Sequence, residues 1–416
     1  MSSKNVSAKL PYIFRKEQVE VPESWEVKKY SEVLDLEYGN NLPKKDREDG
    51  QYPVYGSNGV TGWHNEYHVE PPSIVVGRKG TLEAKLSQKQ CNVIDTAYYV
   101  NDDCIKYDKL NLMYLYHNLK AFDFEILESG SAVPSLSRDD FYNETVALPP
   151  IEDQKKIVHL LDTLDKKINV NNKIKDILEN IVQSVFRSRF VDFEPYDNLK
   201  KSEVGEIPDS FEVLQIGDVC NTRGGGTPST DNDEYWDGDN LWLTPKEVTS
   251  LDSKIVFDTE RKVSDEGLNN SSTAIMPEKS VLLTSRATVG EVVVNREPMG
   301  TNQGFICIQP NSRVEPYYLA CLVENKRPEI ENRASGSTYD EISQTSFNGI
   351  QIMVPPKKDI EEFENRIEDI YEDIYTRELE NRHLEELRDT LLPKLMSGEI
   401  RVDDIRLDDL EVETGV

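Results

Sequence analysis

The chain has 416 residues, of which 37% are hydrophobic and 30% charged, a globular composition long enough for two or three domains. Its formal net charge of −29 argues against a simple nucleic-acid binder, because phosphate contact calls for a basic face. No apolar run approaches the roughly 18 residues of a membrane span, and the start, MSSKNVSAKLPYIFRK, lacks a signal-peptide core, so a cytoplasmic protein without a membrane partner is expected.

Residues 1–20 read as an N-terminal extension. A mixed segment follows over 21–150, rich in β-branched and aromatic residues and punctuated by Gly, Pro, Asn and Asp. Its short apolar run Ser73–Val76 reads as a strand bounded by turn residues, and Gly56, Gly59 and Gly80 read as turn glycines. Pro149-Pro150 closes this segment, and a long helical pattern occupies 151–192, with the helix itself expected from Glu152 to Phe190. Its apolar residues Ile157, Leu161, Leu164 and Ile168 step by four, three and four, the seam of a coiled coil, which resumes at Leu178, Val182 and Val185.

A linker over 193–204 leads to a second mixed segment, 205–356, with strands expected at Val281–Leu283 and Val292–Val294. The Gly-rich run Arg223-Gly224-Gly225-Gly226-Thr227-Pro228 lacks a dinucleotide fingerprint and reads as a flexible loop. A second helical pattern fills 357–400, with the helix from Asp359 to Met396 and a seam of Phe363, Ile367, Ile370 and Ile374, then Leu384, Leu387 and Leu391. Residues 401–416 form an acidic C-terminal tail. Asn171 and Lys175 break the first seam, and Arg377 and Asn381 break the second. Such residues either fix register and partner number or face solvent where the helices diverge. Helices of this length run roughly 50 to 55 Å.

Internal similarity at a spacing of about 206 residues marks a duplicated domain. Val21-Pro22-Glu23-Ser24-Trp25-Glu26-Val27 recurs as Ile207-Pro208-Asp209-Ser210-Phe211-Glu212-Val213. Ser73–Val76 with Arg78 and Gly80 recurs as Ser280–Leu283 with Ser285-Arg286. Asp95-Thr96-Ala97-Tyr98 falls on Asn302-Gln303-Gly304-Phe305, Gly130-Ser131 with Phe141 on Gly336-Ser337 with Phe347, and Leu148-Pro149-Pro150 on Val354-Pro355-Pro356. Asn302-Gln303 could equally be a structural hydrogen-bonding pair.

At this point the chain resembles the specificity subunits of type I restriction–modification systems. The two opening motifs, the turn Tyr52–Gly59 followed by Thr61-Gly62, and the helix exits Phe190-Val191-Asp192-Phe193-Glu194-Pro195 and Leu387–Ile400 carry the likeness. Pro149-Pro150-Ile151-Glu152-Asp153-Gln154 nearly matches the family's helix start, whereas Pro355-Pro356-Lys357-Lys358-Asp359-Ile360 lacks the Gln. The resemblance implies an α+β fold: two tandem-repeated target-recognition domains, 21–150 and 205–356, separated by two long antiparallel coiled-coil helices. It also implies a non-catalytic subunit that reads an asymmetric, two-part double-stranded DNA target. Two methyltransferase subunits dock on it, and restriction/translocase subunits join through the complex.

The residues agree that the chain is not an enzyme. No Pro-Pro pair belongs to a methyltransferase D/N-P-P-Y/F loop, and no phosphate loop is present. The five cysteines, Cys91, Cys104, Cys220, Cys307 and Cys321, form no C-x-x-C pair and no metal-like spacing with histidine; they read as reduced and buried, and neither metal nor cofactor is expected. Base edges are read by Arg or Lys at guanine and by Asn or Gln at adenine. Candidate DNA-binding residues are therefore Ser57, Asn58, Arg78, Lys79 and Ser131 in the first domain. In the second they are Arg223, Thr227, Thr244, Lys246, Arg286, Thr288 and Ser337. Arg78 and Arg286 follow equivalent strands. Candidate partner-binding residues on the outward helix faces are Gln154, Lys155, Arg187, Arg382 and Lys394. The acidity fits either a salt-rich cell or partners that supply the phosphate contacts. An acidic coiled-coil adaptor that binds only proteins is the competing reading.

Overall fold

The structure is a computed structural model that describes residues 5–11, 18–127, 134–334 and 340–405. It divides into two compact units, residues 1–168 with 382–416 and residues 169–381, each a mixture of helices and sheets. The boundaries fall inside the two long helices, so each unit contains part of both.

In the first unit, Asn5–Lys9 and Gln18–Pro22 form an antiparallel hairpin, and Glu26–Lys29 pairs with Thr145–Leu148. A four-stranded sheet runs in the order Glu37–Tyr38, Ala97–Val100, Ser73–Gly77, Ala84–Ser87. Every residue of Ser73–Gly77 is buried, as a central strand with a continuous apolar run should be. A three-stranded sheet joins Gly59–His64, Tyr52–Gly56 and Asn92–Val93, the last pair parallel. The core gathers Trp25, Tyr30, Leu115, Phe122 and Phe141, and the ring of Tyr30 stacks on Phe141 at 4.4 Å. Ile157 and Leu161 of one long helix and Leu391, Leu395 and Met396 of the other complete it. Gly398, at φ +74°, lets the chain leave the helix against Pro22, where a Cβ would lie 2.6 Å from a ring carbon.

The second unit repeats this plan. Leu199–Ser202 pairs with Gly205–Pro208, and Glu212–Gln215 with Gln351–Val354. Its main sheet runs Cys220–Gly224, Phe305–Pro310, Val281–Thr284, Val292–Asn295, then an added parallel strand, Ile255–Val256. Its smaller sheet sets Trp236–Leu243 between Arg261–Val263 and a parallel Met299–Thr301. Phe186, Phe190 and Phe363 pack with Tyr318 and Phe211 in the core. All three strands expected from short apolar runs are present.

The long helices span Ile151–Phe190 and Lys357–Ser397. Within each unit their segments run in opposite directions: Arg388 bonds Asp165 at 2.9 Å in the first, and Asn171 bonds Asn381 at 2.9 Å in the second. On one face of the second helix, Glu364, Glu368 and Glu372 recur at intervals of four, which puts them on one stripe. They meet the backbone N–H groups of Tyr317 and Tyr318, the Lys279 ammonium and the Arg296 guanidinium.

Several expectations need correction. Segments 1–20 and 193–204 are not plain extension and linker: the first holds Asn5–Lys9 and most of its hairpin partner Gln18–Pro22, and the second holds Leu199–Ser202, which pairs with Gly205–Pro208. The repeat spacing is not uniform: 186 residues separate Val21 from Ile207, against 207 between Ser73 and Ser280. The second copy therefore carries the longer segment ahead of its central strand, and this holds the added helix Pro245–Ser250. Three of the four polar breaks do not face solvent: Asn171, Lys175 and Asn381 are buried, while Arg377 is half-buried and bonds Asn171 at 3.2 Å. No described helix is long and apolar enough to cross a membrane. All five cysteines are free and buried.

Candidate nucleic-acid interface

In the first unit, three turns meet at one edge of the sheets. Gly59 (φ +99°) and Gly80 (φ +87°) occupy the left-handed region, which glycine adopts without a Cβ penalty. The backbone N–H of Ser57 donates to the Thr96 hydroxyl at 3.3 Å. Thr81 donates to the Asn58 side chain, and the N–H groups of Arg78 and Lys79 both donate to the Thr96 carbonyl, at 2.9 and 3.1 Å. Gly80 donates to the Pro134 carbonyl at 2.9 Å. Four expected residues, Ser57, Asn58, Arg78 and Lys79, are thus brought together, and Lys79 is exposed. The Arg78 guanidinium donates to the Asp95 carbonyl at 2.7 Å and lies 5.2 Å from the centre of the exposed Tyr38 ring. Arg138 covers the same ring at 5.0 Å. Ser131 lies outside the described residues.

The matching edge of the second unit gathers different chemistry. Thr227 donates to the Gln303 side chain, and Asn302 accepts from the Gly304 N–H at 2.8 Å. Asn302-Gln303 is thus engaged as a hydrogen-bonding pair. Ser285 donates through its backbone to Gly304 at 2.7 Å. Arg286 is exposed but tied to Glu341 at 2.7 Å, and the exposed Thr288 bonds the Arg286 carbonyl through its N–H at 2.7 Å. Arg223 and Lys246 are exposed. Ser337 lies outside the described residues.

Some expectations fail on geometry. Thr244 caps the helix Pro245–Ser250, donating to the Glu247 carboxylate at 2.6 Å and accepting from its N–H at 3.3 Å, so its hydroxyl is committed to the fold. The run 223–228 is not a flexible loop. Arg223 and Gly224 end a strand, and a Cβ on Gly225 would lie 1.9 Å from the Asn302 carbonyl oxygen. Arg78 and Arg286 do follow equivalent strands, Ser73–Gly77 and Val281–Thr284, but one position apart. The bridges Lys79–Ser135 and Arg286–Glu341 match, as do the left-handed Gly80 and Ala287, so Arg286 corresponds to Lys79.

Among the partner-binding candidates, Gln154 is fully buried. It bonds the Lys109 and Pro149 carbonyls at 2.8 and 2.9 Å and accepts from Asn111 N–H at 2.9 Å, so it ties the helix start to its own domain and presents no outward face. Ile360 fills the corresponding place in the second unit with apolar packing, which explains the missing Gln there. Lys155 and Arg187 are exposed and paired with Glu152 and Asp192. Arg382 is exposed and bonds Glu386 at 3.1 Å, and Lys394 is half-buried near its helix end.

Tyr38, Arg138 and Glu341, which residue-type reasoning did not single out, also stand at these edges. Among the described residues no group of three or more His, Cys, Asp or Glu could hold a metal ion.

Comparison with known proteins adds the family. The model of the type I restriction modification DNA specificity domain matches twice, over residues 22–180 and 208–389. The MjaIX specificity subunit of Methanocaldococcus jannaschii is 34% identical over 167 residues, 40% of this chain and 39% of that one. The HindI specificity subunit of Haemophilus influenzae is 26% identical over 66% of this chain and 73% of its own. The putative MjaX specificity subunit of M. jannaschii is 21% identical over 94% of this chain and 97% of its own. The crystal structure of a type I S subunit from M. genitalium shares the fold, with a TM-score of 0.58 at 15% identity over 89% of this chain and 96% of that one. With both of its copies matched in the order that the duplication requires, the chain belongs to the type I restriction–modification DNA specificity family.

Proposed function

We propose that the domains at 21–150 and 205–356 each read one half of an asymmetric bipartite site in double-stranded DNA. The observation that carries this reading is the pair of loop edges. They are built on one topology, yet they present Asn58 in the first copy against Arg223 and Thr227 in the second. Shared scaffolding with different polar side chains is what two different half-sites require, because bases are told apart by donor and acceptor patterns in the major groove.

The long helices form an antiparallel coiled coil that sets the spacer between the halves and docks two methyltransferase subunits. Lys155, Arg187, Arg382 and Lys394 are the candidate contacts there. Methylation, translocation and cleavage reside in those and further partner chains, and this subunit uses no cofactor. At a net charge of −29 the isolated chain binds duplex DNA weakly, and tight recognition belongs to the assembled complex. Methylome sequencing of cells with and without the gene tests the assignment. Loss of one split, asymmetric adenine-methylation motif is expected, and an unchanged methylome in cells whose methyltransferase subunits are active would overturn it.

A further inference from the structure

Duplication supplies an internal control for the recognition edge. Strand pairing sets the correspondence. Tyr98 lies between Val76 and Tyr38, and Ile306 lies between Leu283 and Gly224. Tyr38 therefore corresponds to Gly224, and Arg78, two residues beyond Val76, to Ser285. Arg138 follows the helix-capping Ser137, and Gln344 follows the capping Ser343. The packing agrees: a Cβ on Gly224 would lie 3.4 Å from the Gln344 amide nitrogen, where Arg138 covers Tyr38 in the first unit. Tyr38, Arg78 and Arg138 thus stand against Gly224, Ser285 and Gln344. The fold is the same in both copies, so it does not need the guanidiniums.

The two edges hold their cations differently. Tyr38 is 46% exposed and carries a guanidinium at 5.2 Å and another at 5.0 Å. Among the described residues neither arginine is paired with a carboxylate. Stacking on an aromatic ring holds a guanidinium while leaving its N–H edge available for bidentate contact, and the Asp95 carbonyl braces Arg78 further. Lys79, next in the chain, forms a backbone bridge with Ser135, and its counterpart Arg286 forms the matching backbone bridge with Glu341 but also a side-chain ion pair with it. Among the described residues, Arg78, Lys79 and Arg138 thus stand on one edge without a carboxylate ion pair.

We infer that Arg78 and Arg138, held over Tyr38, with the neighbouring Lys79, form the phosphate-gripping anchor of the first domain, and that the second domain lacks this ring-held arrangement. This rests on the DNA-reading function proposed above. Among the described residues, the second edge carries its exposed cations, Arg223 and Lys246, without an aromatic ring to hold them, so the ring-held pair is a device of the first half-site alone. Phosphates bound by cations release counterions, so each cation removed makes log K against log salt shallower by about one.

The test uses the assembled complex with its methyltransferase subunits. The probes are a duplex bearing the motif assigned by methylome sequencing and a duplex with that motif scrambled. Arg138→Gln should weaken both by about tenfold near physiological salt and flatten the salt slope by about one, with the methylated motif unchanged. Arg138→Lys should restore most of the slope, and Gln344→Ala should leave it unaltered. A wild-type slope in Arg138→Gln, with cognate binding intact, overturns the anchor and leaves the DNA-reading assignment standing. A wild-type complex that methylates and binds no motif overturns both.

Discussion

Glu364 accepts N–H bonds from Tyr317 and Tyr318, at 3.0 and 2.9 Å, at the start of the helix Pro316–Asn325. Burial nevertheless outweighs these bonds. With Glu315 and Glu368 adding repulsion, it pushes the carboxyl from its usual 4.5 up to about 7. A carboxyl whose folded pKa is raised takes up a proton on folding. Its contribution to stability is intact below about pH 4.5 and is lost as pH climbs through about 7. Glu364→Gln keeps an acceptor and removes the charge. Only one of the two accepted N–H bonds survives in the amide, so the variant starts with a deficit near pH 4.5, and its stability relative to the wild type should rise by up to about 3 kcal/mol between pH 4.5 and pH 8. Thermal melts of both proteins across this range check the sign, and a difference that stays flat or falls with rising pH would refute the account. Nothing in the sequence singled out Glu364 among the acidic residues of its helix. Its role depends on which helix terminus packs against it, a long-range fact.

At the scale of elements, the seams were legible because apolar steps of four and three dictate which face a helix buries. Ile157, Leu161, Phe363 and Ile367 are all buried as that spacing requires. The polar breaks were visible as breaks, but their partners were not. Asn171 donates to Asn381 and Glu380, Asn381 donates to Asn172, and the fully buried Lys175 ammonium pairs with Glu378. These contacts make one polar layer across the helix pair in the second unit. A buried charge stripped of its partner destabilises strongly, by roughly 3 to 5 kcal/mol, whereas apolar replacement of the buried group is closer to neutral. Glu378→Ala should therefore lower stability in urea titrations by roughly 3 kcal/mol, and adding Lys175→Met should recover most of the loss. Equal and additive losses would show that the pair contributes little. The loop edges were legible only in part. Asn58, Arg78 and Lys79 stood out by type, but Thr244 looked the same by type and is a helix cap. Gln154 looked like an outward contact and is an internal tie, because backbone carbonyls to satisfy cannot be read from one strand of sequence.

For the whole molecule, the repeat and the acidity act together. Residues 357–416 hold 9 Lys/Arg against 20 Asp/Glu, yet Glu364, Glu368, Glu372 and Glu378 each meet a donor in the second unit. Part of the negative charge is therefore internal mortar, which leaves the recognition edges to set their own local sign. The proposed spacer role can be tested through the helix pairing. Asp165 faces Arg388, Asn171 faces Asn381 and Lys175 faces Glu378, so a one-sided insertion shifts one helix past the other and breaks the polar layer. Matched four-residue insertions, between Ile168 and Asn169 and between Asn381 and Arg382, keep those pairs opposite one another. They lengthen each helix by about 6 Å, which corresponds to no more than about two base pairs of duplex. Methylome sequencing of such a variant should return the same two half-sites with a longer spacer. The one-sided insertion should instead lose stability or methylation. An unchanged spacer in a folded, methylating double-insertion variant would sink the ruler.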